Sequence, residues 1–249
     1  MYEKNYFKIK KSAFTLAEVL ITLGIIGVVA ALTIPSLVQK QQDKATVTAL
    51  KKVYSVLSQA LVTTIAEQGD IRSWGGKTIG NNSEESVNVE YLVKAFKKAK
   101  DCGYDSKGCW YDDYVKSLNG TNSSKNIESN SLYYKMVLSD GILLAIAPMD
   151  YNIINNPDHI MNSKYIVFYV DINGSKKPNT FAKDVFMFAA YKDNTIKPYG
   201  IDEIDFSRNF TSGQGYTIEH VASNWVLLNE NLDYLYCDGL NWNTKTKCK

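Results

Sequence analysis

From Val19 to Val38 the chain carries no charged residue. An apolar run of that length spans the hydrocarbon core of a bilayer as a helix, which takes about 20 residues at roughly 1.5 Å rise each. The pattern then changes. Leu50, Val53, Tyr54, Leu57, Ala60, Leu61, Thr64 and Ile65 recur every three or four positions, while Lys51, Lys52, Ser55 and Gln59 take the opposite face. That period predicts an amphipathic helix ending at Gly69. The two patterns join into one long helix. Its first part, 14–38, is suited to lipid or assembly, and its second, 39–69, is suited to packing on a domain at 70–249. Gly24 and Gly27 are expected to interrupt the apolar part, and Pro35 to break or kink it.

Past Gly69 the signal is local. Residues 70–130 read as a connecting region. It has a short helix over Val89–Lys100, with Tyr91, Leu92, Ala95, Phe96 and Ala99 on one side, and a polar, mobile loop from Asn119 to Asn130. After Leu132 the pattern turns to strands. Leu132–Leu138 and Ile142–Ala147 flank Ser139-Asp140-Gly141 and predict a hairpin. Lys164–Asp171 and Asp184–Tyr191 are rich in Val, Ile, Phe and Tyr, and Lys192-Asp193-Asn194 turns the latter into Thr195–Tyr199. An α+β fold follows, a long amino-terminal helix packed on a small antiparallel sheet.

Charge and cysteine narrow the setting. Lys and Arg number 28 against 26 Asp and Glu, so no strong electrostatic pull on nucleic acid is implied. The four cysteines, Cys102, Cys109, Cys237 and Cys248, form two short local pairs. They imply an oxidising compartment for the body of the chain, and proximity favours Cys102–Cys109 and Cys237–Cys248 among three connectivities. Four-cysteine zinc sites usually have two to four residues between ligands, which neither pair has. Lysines lie on both sides of the apolar run (Lys4, Lys8, Lys10 and Lys11 before it, Lys40, Lys44, Lys51 and Lys52 after it), so loop charge does not set its orientation.

The residue that sharpens the picture is Glu18, a carboxylate at the mouth of the apolar run. An ionisable group near a membrane span is costly, and points to function by default. Thr15-Leu16-Ala17-Glu18 also fits a capping box, in which both side chains satisfy free N–H groups at a helix start. A signal peptide or plain signal anchor competes for the whole segment, although Ala30-Ala31 is a poor cleavage site and the run continues past it.

The stretch Lys10-Lys11-Ser12-Ala13-Phe14-Thr15-Leu16-Ala17-Glu18-Val19-Leu20-Ile21 resembles the processing site of type IV prepilins and type II secretion pseudopilins. There a basic leader and a small residue precede the cut, followed by Phe-Thr-Leu-x-Glu and a long apolar helix. This chain departs in having Ala13 where the family usually has Gly. The resemblance implies cleavage by a prepilin peptidase between Ala13 and Phe14 and methylation of the new Phe14 amine. Glu18 would then neutralise the amine of a neighbouring subunit, and the helix would loosen between Gly27 and Pro35. It implies as partners other pilin or pseudopilin subunits, an inner-membrane assembly platform and lipid. The expected topology is a single pass through a bacterial inner membrane, amino terminus cytoplasmic and carboxy-terminal domain extracytoplasmic, before entry into a filament. The Cys237–Cys248 pair is similar to the disulfide-bounded carboxy-terminal region of many pilins.

One loop offers hard oxygen ligands. Asp171, Asn173 and Asp184, with Asn179 nearby, suit calcium, the one candidate cofactor. The spacing fails an EF-hand, and an Asx-type turn with Gly174 at positive φ accounts for the same residues. Enzymatic motifs are weak. Trp74-Gly75-Gly76-Lys77-Thr78 lacks the first P-loop glycine, and Ser212-Gly213-Gln214-Gly215 is neither a nucleophile elbow nor a dinucleotide fingerprint. The expected role is structural rather than enzymatic, with a membrane-anchored binding protein or adhesin as the alternative.

Overall fold

The computed structural model describes residues 15–78, 81–105, 107–149, 165–191, 193–199 and 218–248. The chain divides into two compact units, Met1–Gln42 and Asp43–Lys249. Helix α1, Leu16–Gln68, contributes to both. It runs through Gly24, Gly27 and Pro35, so the expected interruption is absent. A proline removes one N–H from the ladder, and the flanking turns retain theirs. Gly69 ends the helix at φ +79°, its N–H donating to the Ile65 carbonyl at 2.9 Å. The left-handed conformation of that closing residue is one that glycine adopts without a Cβ penalty.

In the second unit α1 shows one face to the domain. Val47, Leu50, Val53, Leu57, Ala60, Leu61 and Thr64 are buried, and Tyr54 stacks on Phe188 with ring centroids 6.0 Å apart. They meet a six-stranded antiparallel meander whose spatial order is its chain order: β3 (Lys98–Gly103), β4 (Tyr134–Leu138), β5 (Leu143–Met149), β6 (Tyr165–Asp171), β7 (Val185–Ala190) and β8 (Ile196–Pro198). The β4–β5 hairpin turns at Asp140-Gly141, as its sequence predicts. Alternation assigns the two faces. Ile166, Phe168 and Val170 belong to the cluster under α1, joined by Val221, Ala222, Trp225 and Val226 of α3 (Ile218–Asn229). Val167 and Tyr169, with Val185, Met187 and Ala189, face a second cluster built with Trp110, Val115, Ile127, Tyr133 and Phe181. Both faces are covered. That explains why β7 reads as an unbroken apolar run rather than an alternation.

Three local expectations differ from the structure. Residues 70–130 are not a mere connection: β1 (Gly75–Thr78) and β2 (Asn81–Val87) pair as a separate two-stranded sheet. The helix expected over Val89–Lys100 shrinks to α2, Glu90–Val93, and Lys98 onward becomes edge strand β3. Its apolar spacing was real, since Leu92, Val93 and Phe96 are buried. Pairing with β4, though, supplies ladder hydrogen bonds that outweigh local helix preference. The polar stretch 119–130 is no solvated loop at its end, because Ile127 and Glu128 are buried.

Candidate functional site

The amino-terminal unit is built around the start of α1. Thr15 and Glu18 close a reciprocal capping box. The Thr15 N–H and hydroxyl donate to Glu18 Oε2 at 2.8 and 2.7 Å, and the Glu18 N–H donates to Thr15 Oγ1 at 3.2 Å. The carboxylate thus occupies the positive end of the helix dipole, where two donors hold it in one rotamer. Ala13 and Phe14, the expected cleavage and methylation positions, lie outside the described residues, as does the 212–215 motif.

Behind Glu18 the helix has no apolar partner among the described residues of its own unit. Leu16 is 78% exposed, Ile26 63%, Leu32 76% and Leu37 60%. Its polar side chains are turned inward on the backbone: Thr22 donates to the Val19 carbonyl, Thr33 to Val29 and Ser36 to Thr33, each within 3.0 Å. Such a surface suits hydrocarbon, where every polar group must find its partner within the protein. By length and composition α1 can cross a membrane.

The domain carries its own staples. Disulfides join Cys102 to Cys109 and Cys237 to Cys248. The first loop is also held by a residue that sequence reading passed over. Glu128, 3% exposed, accepts the N–H of Trp110 at 2.9 Å and that of Gly108. The buried Lys135 ammonium donates to the Glu128 carbonyl at 2.9 Å, and burial lowers its pKa. The second loop is tied by Asp233, whose carboxylate accepts the Cys248 N–H at 2.5 Å. Nothing in a polar Ser/Asn-rich stretch marks Glu128 as buried. The only signal was a lone carboxylate between apolar Ile127 and the strand that follows.

The β6–β7 connection brings together the residues expected to offer oxygen. Asp171 is fully buried and accepts the Asn173 N–H through Oδ1 at 3.2 Å, an Asx turn. Gly174 follows at φ +74°, and a Cβ there would lie 3.0 Å from the Gly141 carbonyl, so both backbone and neighbour demand glycine. Asp184, 2% exposed, accepts the N–H groups of Thr180 and Asn179 at 2.6 and 2.8 Å, and Asn173 Nδ2 at 3.1 Å. Asn173 therefore turns its amide nitrogen, not its oxygen, toward Asp184. Burial first, and the Asp184 charge second, push the Asp171 carboxyl up to about 8. Among the described residues no three His, Cys, Asp or Glu side chains gather as a metal-binding group. The Trp74–Thr78 motif enters β1, and Trp74 is a core residue.

Two sequence profiles match. That of the prokaryotic N-terminal methylation motif covers residues 8–34, so this segment is of the type IV prepilin and pseudopilin kind. No curated protein and no solved structure matches the chain. The second profile, described as a family of unknown function (DUF6613), covers residues 36–218, the greater part of the chain, and the protein belongs to that family.

Proposed function

We propose that this protein is a structural subunit that is inserted in a membrane and shortened by a prepilin peptidase. It then polymerises through its amino-terminal helix into a type II secretion pseudopilus or a type IV pilus-like filament. The observation that carries the reading is the continuity of the methylation motif at 8–34 with the exposed apolar part of α1, residues 16–38, whose single charge is Glu18. Cleavage before Phe14 creates an amine at the edge of apolar surroundings. There an unpaired charge is costly, and an opposite charge gains as the dielectric falls. Glu18 of an adjacent subunit is the carboxylate that can meet it, at the cost of exchanging part of its capping interaction with Thr15.

Two measurements test this. Mass spectrometry of protein from its native cell should find a chain beginning at Phe14, carrying a methyl group on its amine. An intact Met1 sinks the proposal and favours the anchored binding protein. With expression matched, Glu18→Ala should reduce incorporation into filaments while leaving the domain's melting temperature unchanged, because Glu18 and the domain core belong to different units. If the carboxylate serves only the capping box, incorporation stays at the wild-type level and the helix start alone frays.

A further inference from the structure

We propose that the groove between α1 and the β4–β5 turn is a binding site for a single-chain acyl carboxylate. Its volume is about 430 Å³, within the range of small-ligand pockets. Three stretches of chain wall it. From α1 come Lys52, Val56, Gln59, Ala60 and Thr63, which share one stripe at helical spacing. From Lys52 to Thr63 that stripe is ~16 Å long at the α-helical rise per residue. Opposite it lie Ala95-Phe96-Lys97, between α2 and β3, and Leu138-Ser139-Asp140, where β4 enters its turn.

Charge gathers at one end of the groove. Lys52 Nζ meets Asp140 Oδ2 at 2.7 Å, and the Ser139 N–H donates to the Lys97 carbonyl at 3.1 Å, so these four residues stand together. Lys52 matches the Asp140 charge. Lys97 is exposed and adds a surplus cation, because no carboxylate pairs with it among the described residues. Its neighbours are engaged: Lys98 holds Asp101 at 2.8 Å, and Lys100 Nζ donates to the Gly108 carbonyl at 2.8 Å. Beyond the charged end the walls are Val56, Ala60, Ala95, Phe96 and Leu138, which belong to the main core or pack against it. The small side chains of Ala60 and Ala95 leave the space open. Gln59 and Thr63, uncharged and bonded to one another at 3.4 Å, stand at the far end.

This polarity selects the ligand. The apolar walls gain by covering hydrocarbon, and the surplus charge of Lys97 fits an anionic head at the entrance. A peptide with a free carboxy terminus would satisfy the head but not the body. Its amides would face Val56, Ala60, Phe96 and Leu138, whose side chains offer no hydrogen bond, while the Ser139 N–H and Lys97 carbonyl already serve one another. An amide buried without a partner is costly, and an acyl chain has none to bury.

The full chain in phosphatidylcholine nanodiscs is the material for the test, since free detergent would compete for the groove. Decanoate carrying a terminal diazirine is added and photolysed, and the labelled peptides are mapped by mass spectrometry. Label should appear in the peptides containing Val56–Thr63 and Ala95–Lys97, and unlabelled decanoate should suppress it. Decanol, which lacks the charge, should compete about three- to tenfold less well, and Lys97→Glu should weaken groove labelling by a similar factor. Lys97 is exposed, so that variant keeps the fold. Val56→Trp fills the groove and should abolish the label there, with its melting temperature showing that it is folded. Label confined to Leu16–Val38 in every protein would mean partition into lipid alone, and the proposal falls. It falls equally if Lys97→Glu labels the groove like wild type and decanol competes as well as decanoate. An apolar peptide with a free carboxy terminus that displaces the label better than decanoate would overturn the choice of ligand.

Discussion

Leu61 and Val62 are adjacent on α1 and have opposite surroundings. Leu61 is 1% exposed and part of the main core, and Val62 is 59% exposed. Replacing each with alanine separates packing from helix propensity, since both changes retain or improve helix preference. Truncating a buried leucine to alanine costs about 2–5 kcal/mol, including the cavity left behind. A surface change away from special features stays within about 0.5 kcal/mol. For a domain of some 200 residues, each kcal/mol moves the melting temperature by about 2–4 °C. Leu61→Ala should therefore melt about 4–20 °C lower, and Val62→Ala within about 2 °C of wild type.

The same arithmetic predicts the smallest fragment that folds. Val47, Leu50, Val53, Leu57 and Leu61 are the large apolar side chains that α1 buries. At about 1.5–3 kcal/mol each they contribute roughly 8–15 kcal/mol, comparable with the whole stability of a typical domain. A fragment beginning at Asp43 should fold, and one beginning at Asp70 should not. Thermal denaturation followed by circular dichroism reads all four proteins. Equal melting temperatures for Leu61→Ala and Val62→Ala, or a cooperative transition in the Asp70 fragment, would refute the view that the second part of α1 is a core element of the domain.

Two further outcomes follow from named contacts. Each disulfide closes a short loop, with sequence separations of 7 and 11, so replacing either pair with serine should cost about 2–3 kcal/mol from loop entropy. Urea melts that coincide with wild type for both double variants would contradict this. Burial, and secondarily Lys125, lowers the His220 imidazole to about 4. The folded pKa lies below the unfolded one, so the unfolded chain takes up the proton first. The associated stability is whole above pH about 6.5 and drains away as the pH falls toward about 4, by on the order of 3 kcal/mol. His220→Phe removes that slope. A wild-type-minus-variant stability difference that stays flat across this window would show the imidazole to be ordinarily hydrated.

The resemblance to prepilins and the α+β architecture are both legible in the sequence. The β4–β5 hairpin and strands β6, β7 and β8 fall within a few residues of their apolar runs, and the turns at Asp140-Gly141 and Asp193-Asn194 lie where short-range chemistry puts them. α3 was missed, although Ile218, Val221, Ala222, Trp225 and Val226 recur at helical spacing. That signal lay in the sequence and was overlooked among polar neighbours. β3 is different. Its half-buried Lys98 and exposed Lys100 fall within the helix expected over Val89–Lys100. Only a partner strand more than thirty residues away in the chain makes this segment an edge strand.

What the sequence determined by itself was whatever depends on neighbours within a turn or a hairpin. This covers the change from an uncharged run to an amphipathic period, the stop at Gly69, the capping pair Thr15 and Glu18, and the proximity of the cysteines. Those signals are written in spacings of two to four residues, which propensity and periodicity can read. Tertiary structure alone decided which polar groups are buried together. Glu128 meets the Gly108 and Trp110 amides, and Tyr111 comes near Asp171 and Asp184, because the 102–133 segment folds over one face of the sheet. Buried polar groups are selected by the need to satisfy one another across long loops, and chain closure leaves no local pattern from which such pairings can be read.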